Sequence, residues 1–149
     1  MSENTISLIN SEEIKNLLPQ ADNMVLVDVI CQVNTESIQG IKNVAMTEHF
    51  LEGHFPNESM MPGVLILESM IQLANLLILI RDDSKKGYYS HLKKVVDIKF
   101  KEKVKPGDQL LITVTSLERL KSAERFKGVV KVDNKIVTAG VFELIGHTK

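Results

Sequence analysis

The sequence predicts an α+β chain in which an antiparallel sheet curves around one long buried helix. Three observations predict it. Residues 64–80 form a run in which only Glu68, Ser69, Gln72 and Asn75 are polar, and a helix apolar nearly all round belongs in a core rather than on a surface. The segments after it are rich in β-branched residues and joined by turn signals, the pattern of hairpin-linked strands. Helix and strands are segregated rather than alternating, which favours an antiparallel sheet over a parallel one. At ~1.5 Å per residue the helix is roughly 26 Å long, enough for five or six strands to cross.

The elements follow in order. Asn10-Ser11-Glu12-Glu13 precedes Ile14 and Leu17-Leu18, a capping box that predicts a short helix ending near Leu18, since Pro19 stops it. Residues 24–33 are almost continuously apolar and read as a strand covered on both faces. Residues 37–46 read as a second strand with Gly40 as a bulge. Residues 47–61 form a loop longer than most connections, the kind that often carries function. Pro62 suits the first helical position, where a missing N–H costs nothing. Glu68, Gln72 and Asn75 stand at i, i+4 and i+7, one narrow polar seam. After a polar break at 81–87, residues 95–104 alternate: Ile98, Phe100 and Val104 on one face, Asp97, Lys99, Lys101 and Lys103 on the other. Pro106-Gly107 makes a turn. Residues 110–117, 125–132 and 136–145 complete the strands, the last two joined by the hairpin signal Asp133-Asn134.

The chain has 149 residues, which suits one domain spanning 1–149. A net charge of −1 gives no whole-chain steering towards nucleic acid or membrane. The one cysteine, Cys31, excludes an intrachain disulfide framework and fits a reducing, cytoplasmic setting. The first ten residues lack a basic region followed by an apolar run, so no signal peptide is expected. The 64–80 run is short for a membrane span and its polar seam would face lipid.

The string His54-Phe55-Pro56, then Pro62-Gly63-Val64-Leu65, Glu68 and Gln72, resembles the active-site signature of the FabZ-type 3-hydroxyacyl-acyl-carrier-protein dehydratases, enzymes with the hotdog fold. The likeness extends through Leu26-Val27-Asp28, Lys42-Asn43-Val44, Glu48, Phe50, Phe100-Lys101, Pro106-Gly107-Asp108-Gln109, Arg125-Phe126-Lys127-Gly128 and Val132-Asp133. The resemblance implies a sheet wrapped around a central helix. It implies a dimer whose sheets join, with the histidine and glutamate of one site drawn from different protomers, and commonly a hexamer of three dimers. It also implies loss of water from a 3-hydroxyacyl thioester to give a trans-2-enoyl-acyl-carrier protein (ACP). Three departures bear on substrate chain, tunnel and partner. Gln20-Ala21-Asp22-Asn23 stands where the family has a His-Arg-Tyr-Pro-like run. Ser69 and Ile71 replace two alanines beside Met70. Tyr88-Tyr89 lie two positions early. A role in a specialised polyketide or polyene pathway therefore stands beside one in fatty-acid synthesis.

Dehydration needs a base for the C2 proton, an acid for the leaving hydroxyl and polarisation of the thioester carbonyl. His54 suits the base, since imidazole titrates near neutrality. Glu68 suits the acid, because burial favours the protonated form of a carboxyl. The amide of Gly63 or Val64, at a helix N-terminus, suits the oxyanion. Gln72, one turn after Glu68, can hold the carboxyl. No redox cofactor is needed, and phosphopantetheine arrives with the carrier. His49, Glu52 and His54 match no zinc spacing, so no metal is expected. His91 and His147 read as surface residues, and Cys31 as packed rather than nucleophilic. Between Lys85 and Lys105 stand eight lysines and only two acids. They read either as a solvated face or, through Lys99, Lys101 and Lys103, as a docking patch for acidic ACP; nucleic acid is disfavoured for want of an aromatic platform. Two rival functions remain open. One is a hotdog acyl thioesterase; the other is a non-catalytic acyl-binding protein or hetero-oligomer subunit.

Overall fold

The computed structural model describes residues 6–20, 24–51, 57–85 and 88–147. Its elements are β1 (Ile6–Ile9), α1 (Ser11–Leu17), β2 (Val29–Val33), β3 (Ser37–Asn43), α2 (Gly63–Arg81), β4 (Tyr89–Phe100), β5 (Gln109–Arg119), β6 (Ala123–Val132) and β7 (Lys135–His147). The strands form one antiparallel sheet in the order β1-β2-β3-β5-β6-β7-β4. Two short 3-10 turns, His49–Leu51 and Asp83–Lys85, lie in the connections before and after α2.

Local chemistry explains most of this. The Asn10 side chain accepts from Glu13 N–H and the Glu13 carboxylate reaches back to Asn10 N–H, the reciprocal cap expected for α1. Asp133 and Asn134 both have positive φ, 49° and 67°, as a two-residue hairpin requires. The core gathers Ile66, Met70, Leu73, Leu76 and Leu77 of α2 against Ile30, Ile38, Ile112, Val114, Phe126, Val130 and Phe142 of the sheet. The rings of Phe126 and Phe142 stack at 5.7 Å. From Ser69 to Leu79 every residue of α2 is buried. By composition α2 is long and apolar enough to cross a membrane, but 67% of that stretch is buried within this chain, which is the core use of such a helix.

Five expectations need correction. Residues 24–28 are not part of β2: the backbone of Met24 and Leu26 is bonded by side chains of α2, described below, while Asp28 N–H donates to Ile41 O of β3 at 2.8 Å just before the strand begins. The bulge lies in β2, between Ile30 and Gln32, not at Gly40. Gly40 serves close packing instead: a Cβ there would stand 2.9 Å from a Leu73 methyl. Pro62 is the cap of α2, with extended ψ of 136°, rather than its first helical residue. The strand expected at 95–104 begins at Tyr89 and ends at Phe100. Its polar first half hid it, since an edge strand is wetted on both faces. Two register shifts then break the alternation, leaving Phe100, expected inside, 49% exposed. Beyond it, Lys101 N–H donates to Val137 O at 2.7 Å and Met61 N–H donates to Val104 O at 2.8 Å, so this stretch props the approach to α2 instead of extending β4. Finally, β1 went unread, being four residues long with no neighbouring turn signal.

Candidate active site

The start of α2 is set from two sides. Leu65 and Ile66 N–H both turn to Pro62 O, at 3.0 and 3.3 Å, so the first turn is tight. Phe100 closes on Gly63, where a Cβ would lie 3.0 Å from its ring, so any larger residue would push the ring back by a few tenths of an ångström. The amides of Gly63 and Val64 precede any intrahelical acceptor, so they point out of the helix along the positive end of its dipole. Val64 is 71% exposed, so this turn is open, whereas the run from Ser69 to Leu79 is buried throughout.

Glu68 lies one turn further in and is half-buried, less covered than the unbroken buried run from Ser69 to Leu79. Its Oε1 accepts from Gln72 Nε2 at 3.0 Å and from Gln20 Nε2 at 3.2 Å. Gln72 is fully buried. Its Oε1 takes Leu26 N–H at 2.8 Å, and its Nε2 also donates to Met24 O at 2.6 Å. Ser69 Oγ donates to Leu26 O at 3.0 Å and to Leu65 O at 3.2 Å. Two polar residues of the seam therefore staple residues 24–26 to the helix, and that segment cannot also ladder. Asn75 stands apart, donating to Ser90 O at 3.3 Å and satisfying β4 rather than the carboxylate.

His54, with Glu52, Phe55 and Pro56, lies outside the described residues, as do Ala21, Asp22 and Asn23 of the departing run. The loop leading to His54 is anchored before it. Lys42, only 5% exposed, holds Glu48 at 2.6 Å, and Leu51 is buried. Lys99, Lys101 and Lys103 are exposed, and Lys103 pairs with Glu58 at 2.5 Å. The structure thus brings Glu68, Gln72 and the Gly63–Val64 amides into the first three turns of one helix, with the lysines at and beyond the end of β4. His91 and His147, read as surface residues, form an exposed pair whose rings stack at 4.5 Å with ring nitrogens 2.6 Å apart. Burial pushes the Cys31 thiol up, away from the nucleophilic thiolate. Among the described residues no group of three or more His, Cys, Asp or Glu side chains is placed to hold a metal ion. What sequence reasoning missed is Gln20. It was visible only as a departure from a pattern; its amide reaches Glu68 across 48 residues of sequence.

The model of the FabA-like domain matches residues 18–141. Over 136 residues the chain is 39% identical to the 3-hydroxyacyl-[acyl-carrier-protein] dehydratase FabZ of Streptococcus pneumoniae strain CGSP14, covering 90% of this chain and 95% of that one. The chain belongs to the FabZ-type dehydratase family. The corresponding FabZ of Streptococcus agalactiae serotype V is 38% identical over 135 residues, 89% of this chain and 94% of that one. Among solved structures, the dehydratase heterocomplex ApeI:P from Xenorhabdus doucetiae aligns with a TM-score of 0.79 at 17% identity, covering 91% of each chain. A hypothetical thioesterase with coenzyme A from Streptococcus pneumoniae TIGR4 aligns at 0.62 and 11% identity, over 80% of this chain and 85% of that one. At such identities these two likenesses establish the fold alone, and it is the expected hotdog.

Proposed function

We infer that this FabZ-family chain is a 3-hydroxyacyl-ACP dehydratase, forming a trans-2-enoyl-ACP and water. The observation that carries the reading is family membership across nearly the whole length of the FabZ relatives, together with Glu68 fixed beside an open helix N-terminus. In the proposed elimination His54 removes the C2 proton. The electrons of that C–H bond form the C2–C3 double bond, and the C3–O bond breaks as Glu68 gives its proton to the leaving oxygen. The Gly63 or Val64 amide stabilises the thioester oxygen as charge develops on it. Water exchange then returns a proton from His54 to Glu68. The step is redox-neutral and asks for no cofactor beyond the phosphopantetheine on the carrier.

The partner is ACP, with Lys99, Lys101 and Lys103 as its docking patch. A second copy completes the site: β4 has an outer edge unpaired among the described residues, and Val95, Val96 and Phe100 on it are exposed. Edge-to-edge pairing of β4 with its counterpart would join the sheets and bring a partner over the open turn of α2. Such dimers can assemble further into a hexamer or accept a related chain in a hetero-oligomer. The proposed setting is the cytoplasm, where the carrier substrate would be met.

The test is mass spectrometry of a 3-hydroxyacyl-ACP panel incubated with the protein. Loss of water is expected. His54→Ala and Glu68→Gln should each slow it by about a hundredfold or more while remaining folded. Release of a free acid would point instead to a thioesterase, and an unchanged panel to a binding role.

A further inference from the structure

Among the described residues, Gln20 is the donor to Glu68 that neither the catalytic string nor α2 supplies. It follows Pro19, just past the cap of α1, and its Nε2 lies 3.2 Å from Glu68 Oε1. Gln72 donates to that same oxygen at 3.0 Å. The orientation of Gln72 is fixed by its other bonds: turned over, its oxygen would face Met24 O and its NH2 would face Leu26 N–H. Gln20 has no such second tether. Its own Oε1 is buried with no hydrogen-bond partner among the described residues. An unpaired buried carbonyl costs stability, so an amide kept there is kept for its N–H.

Two donors on one carboxyl oxygen decide where that group carries its proton. The carbonyl-type oxygen of a carboxylic acid is the better acceptor, and the hydroxyl oxygen bears the hydrogen. We propose that Gln20 is a positioning residue for the acid. With Gln72 it holds Glu68 Oε1 as the acceptor oxygen, so that the transferable proton rides on Oε2, the oxygen left for the substrate hydroxyl. This rests on the dehydratase reading above for its catalytic consequence, but the contact itself does not. It gives the departing run a role in this chain: Gln20 supplies one of the two N–H groups that fix the acid.

Two variants test it. Gln20→Met keeps length and bulk but has no donor; Gln20→His offers a ring N–H. The first measurement is the C=O stretch of the 13C-labelled, protonated Glu68 carboxyl by isotope-edited infrared spectroscopy. Losing a donor to the carbonyl oxygen should raise that frequency in Gln20→Met, and Gln20→His should move it back. The second is steady-state kinetics with 3-hydroxyacyl-ACP: Gln20→Met should lower kcat about tenfold or more, with KM within about twofold. An unmoved Glu68 carbonyl frequency overturns the proposal, whatever the kinetics. So does a loss confined to KM, which would make Gln20 a binding contact. The spectrum needs only folded protein, so the two readings separate. A shifted frequency in a protein that turns over no substrate refutes the dehydratase and upholds the contact. An active protein with an unshifted frequency refutes Gln20 alone.

Discussion

Replacing Gln72 by methionine should cost more stability than its single-residue scale suggests. Methionine nearly conserves volume, so the cavity contribution is small. What is lost is an amide with three partners: Leu26 N–H, Met24 O and Glu68 Oε1. Leu26 is 3% exposed, so its N–H would be left dry and bear the full desolvation cost, about 1–3 kcal/mol. Met24 is 48% exposed, so water can reach its carbonyl and that cost is smaller. The sum is about 2–4 kcal/mol, a large part of the roughly 5–15 kcal/mol that holds a domain folded. Asn75→Leu is the internal comparison, losing one long bond to Ser90 O, for about 1 kcal/mol or less. Urea unfolding at fixed protein concentration, followed by far-UV circular dichroism, reads both. A Gln72→Met cost under about 0.5 kcal/mol, or an Asn75→Leu cost exceeding it, would refute the stapling argument.

Three further outcomes are expected. Reversing Lys99, Lys101 and Lys103 to Glu should weaken ACP binding and flatten its salt dependence, with turnover of a short thioester mimic unchanged; unaltered binding would make the patch a solvated face. Mixing His54→Ala with Glu68→Gln under subunit exchange should restore about a quarter of wild-type activity if each site spans two chains; no recovery, with exchange verified by native mass spectrometry, would place each site within one chain. Arg125, bonded to Glu143 at 2.6 Å, holds that carboxyl below its usual range against the opposing effect of desolvation. The stability this gives is present above the ordinary carboxylate range and fades as pH falls through the lowered value. Thermal melts should therefore separate wild type from Glu143→Gln at neutral pH and converge in acid; parallel curves would deny the pair that role.

The legible parts of the fold were those set by local chemistry. The capping box at Asn10, the Asp133-Asn134 hairpin and the all-round apolarity of α2 each follow from neighbours a few residues away. The errors arose where a distant group overrode the local pattern. Residues 24–28 have the composition of a strand, yet the Leu26 amide and carbonyl and the Met24 carbonyl answer to Ser69 and Gln72, more than forty positions on. The first half of β4 is polar because it is an edge, which composition alone cannot separate from a loop. At the site, Glu68 and Gln72 were legible because i, i+4 spacing on one helix needs no tertiary knowledge. Gln20 was not, because its meeting with Glu68 exists only once α1 has packed beside the helix.

The position of the polar seam then explains why the helix is open where it is. If residues 24–28 extended β2, their backbone would ladder with a neighbouring strand and the sheet could close over the first turns of α2. Ser69 and Gln72 prevent this by taking the Leu26 and Met24 backbone for themselves. The segment lies against the helix irregularly, and Glu68 stays half-buried with Val64 exposed. An apolar seam would pack more simply and release the segment to the sheet, but it would take the carboxyl's donors away. The same amide that keeps the core satisfied at Leu26 thus holds the acid in place. Stability and acid placement are coupled through Gln72, and a variant that alters one should alter the other.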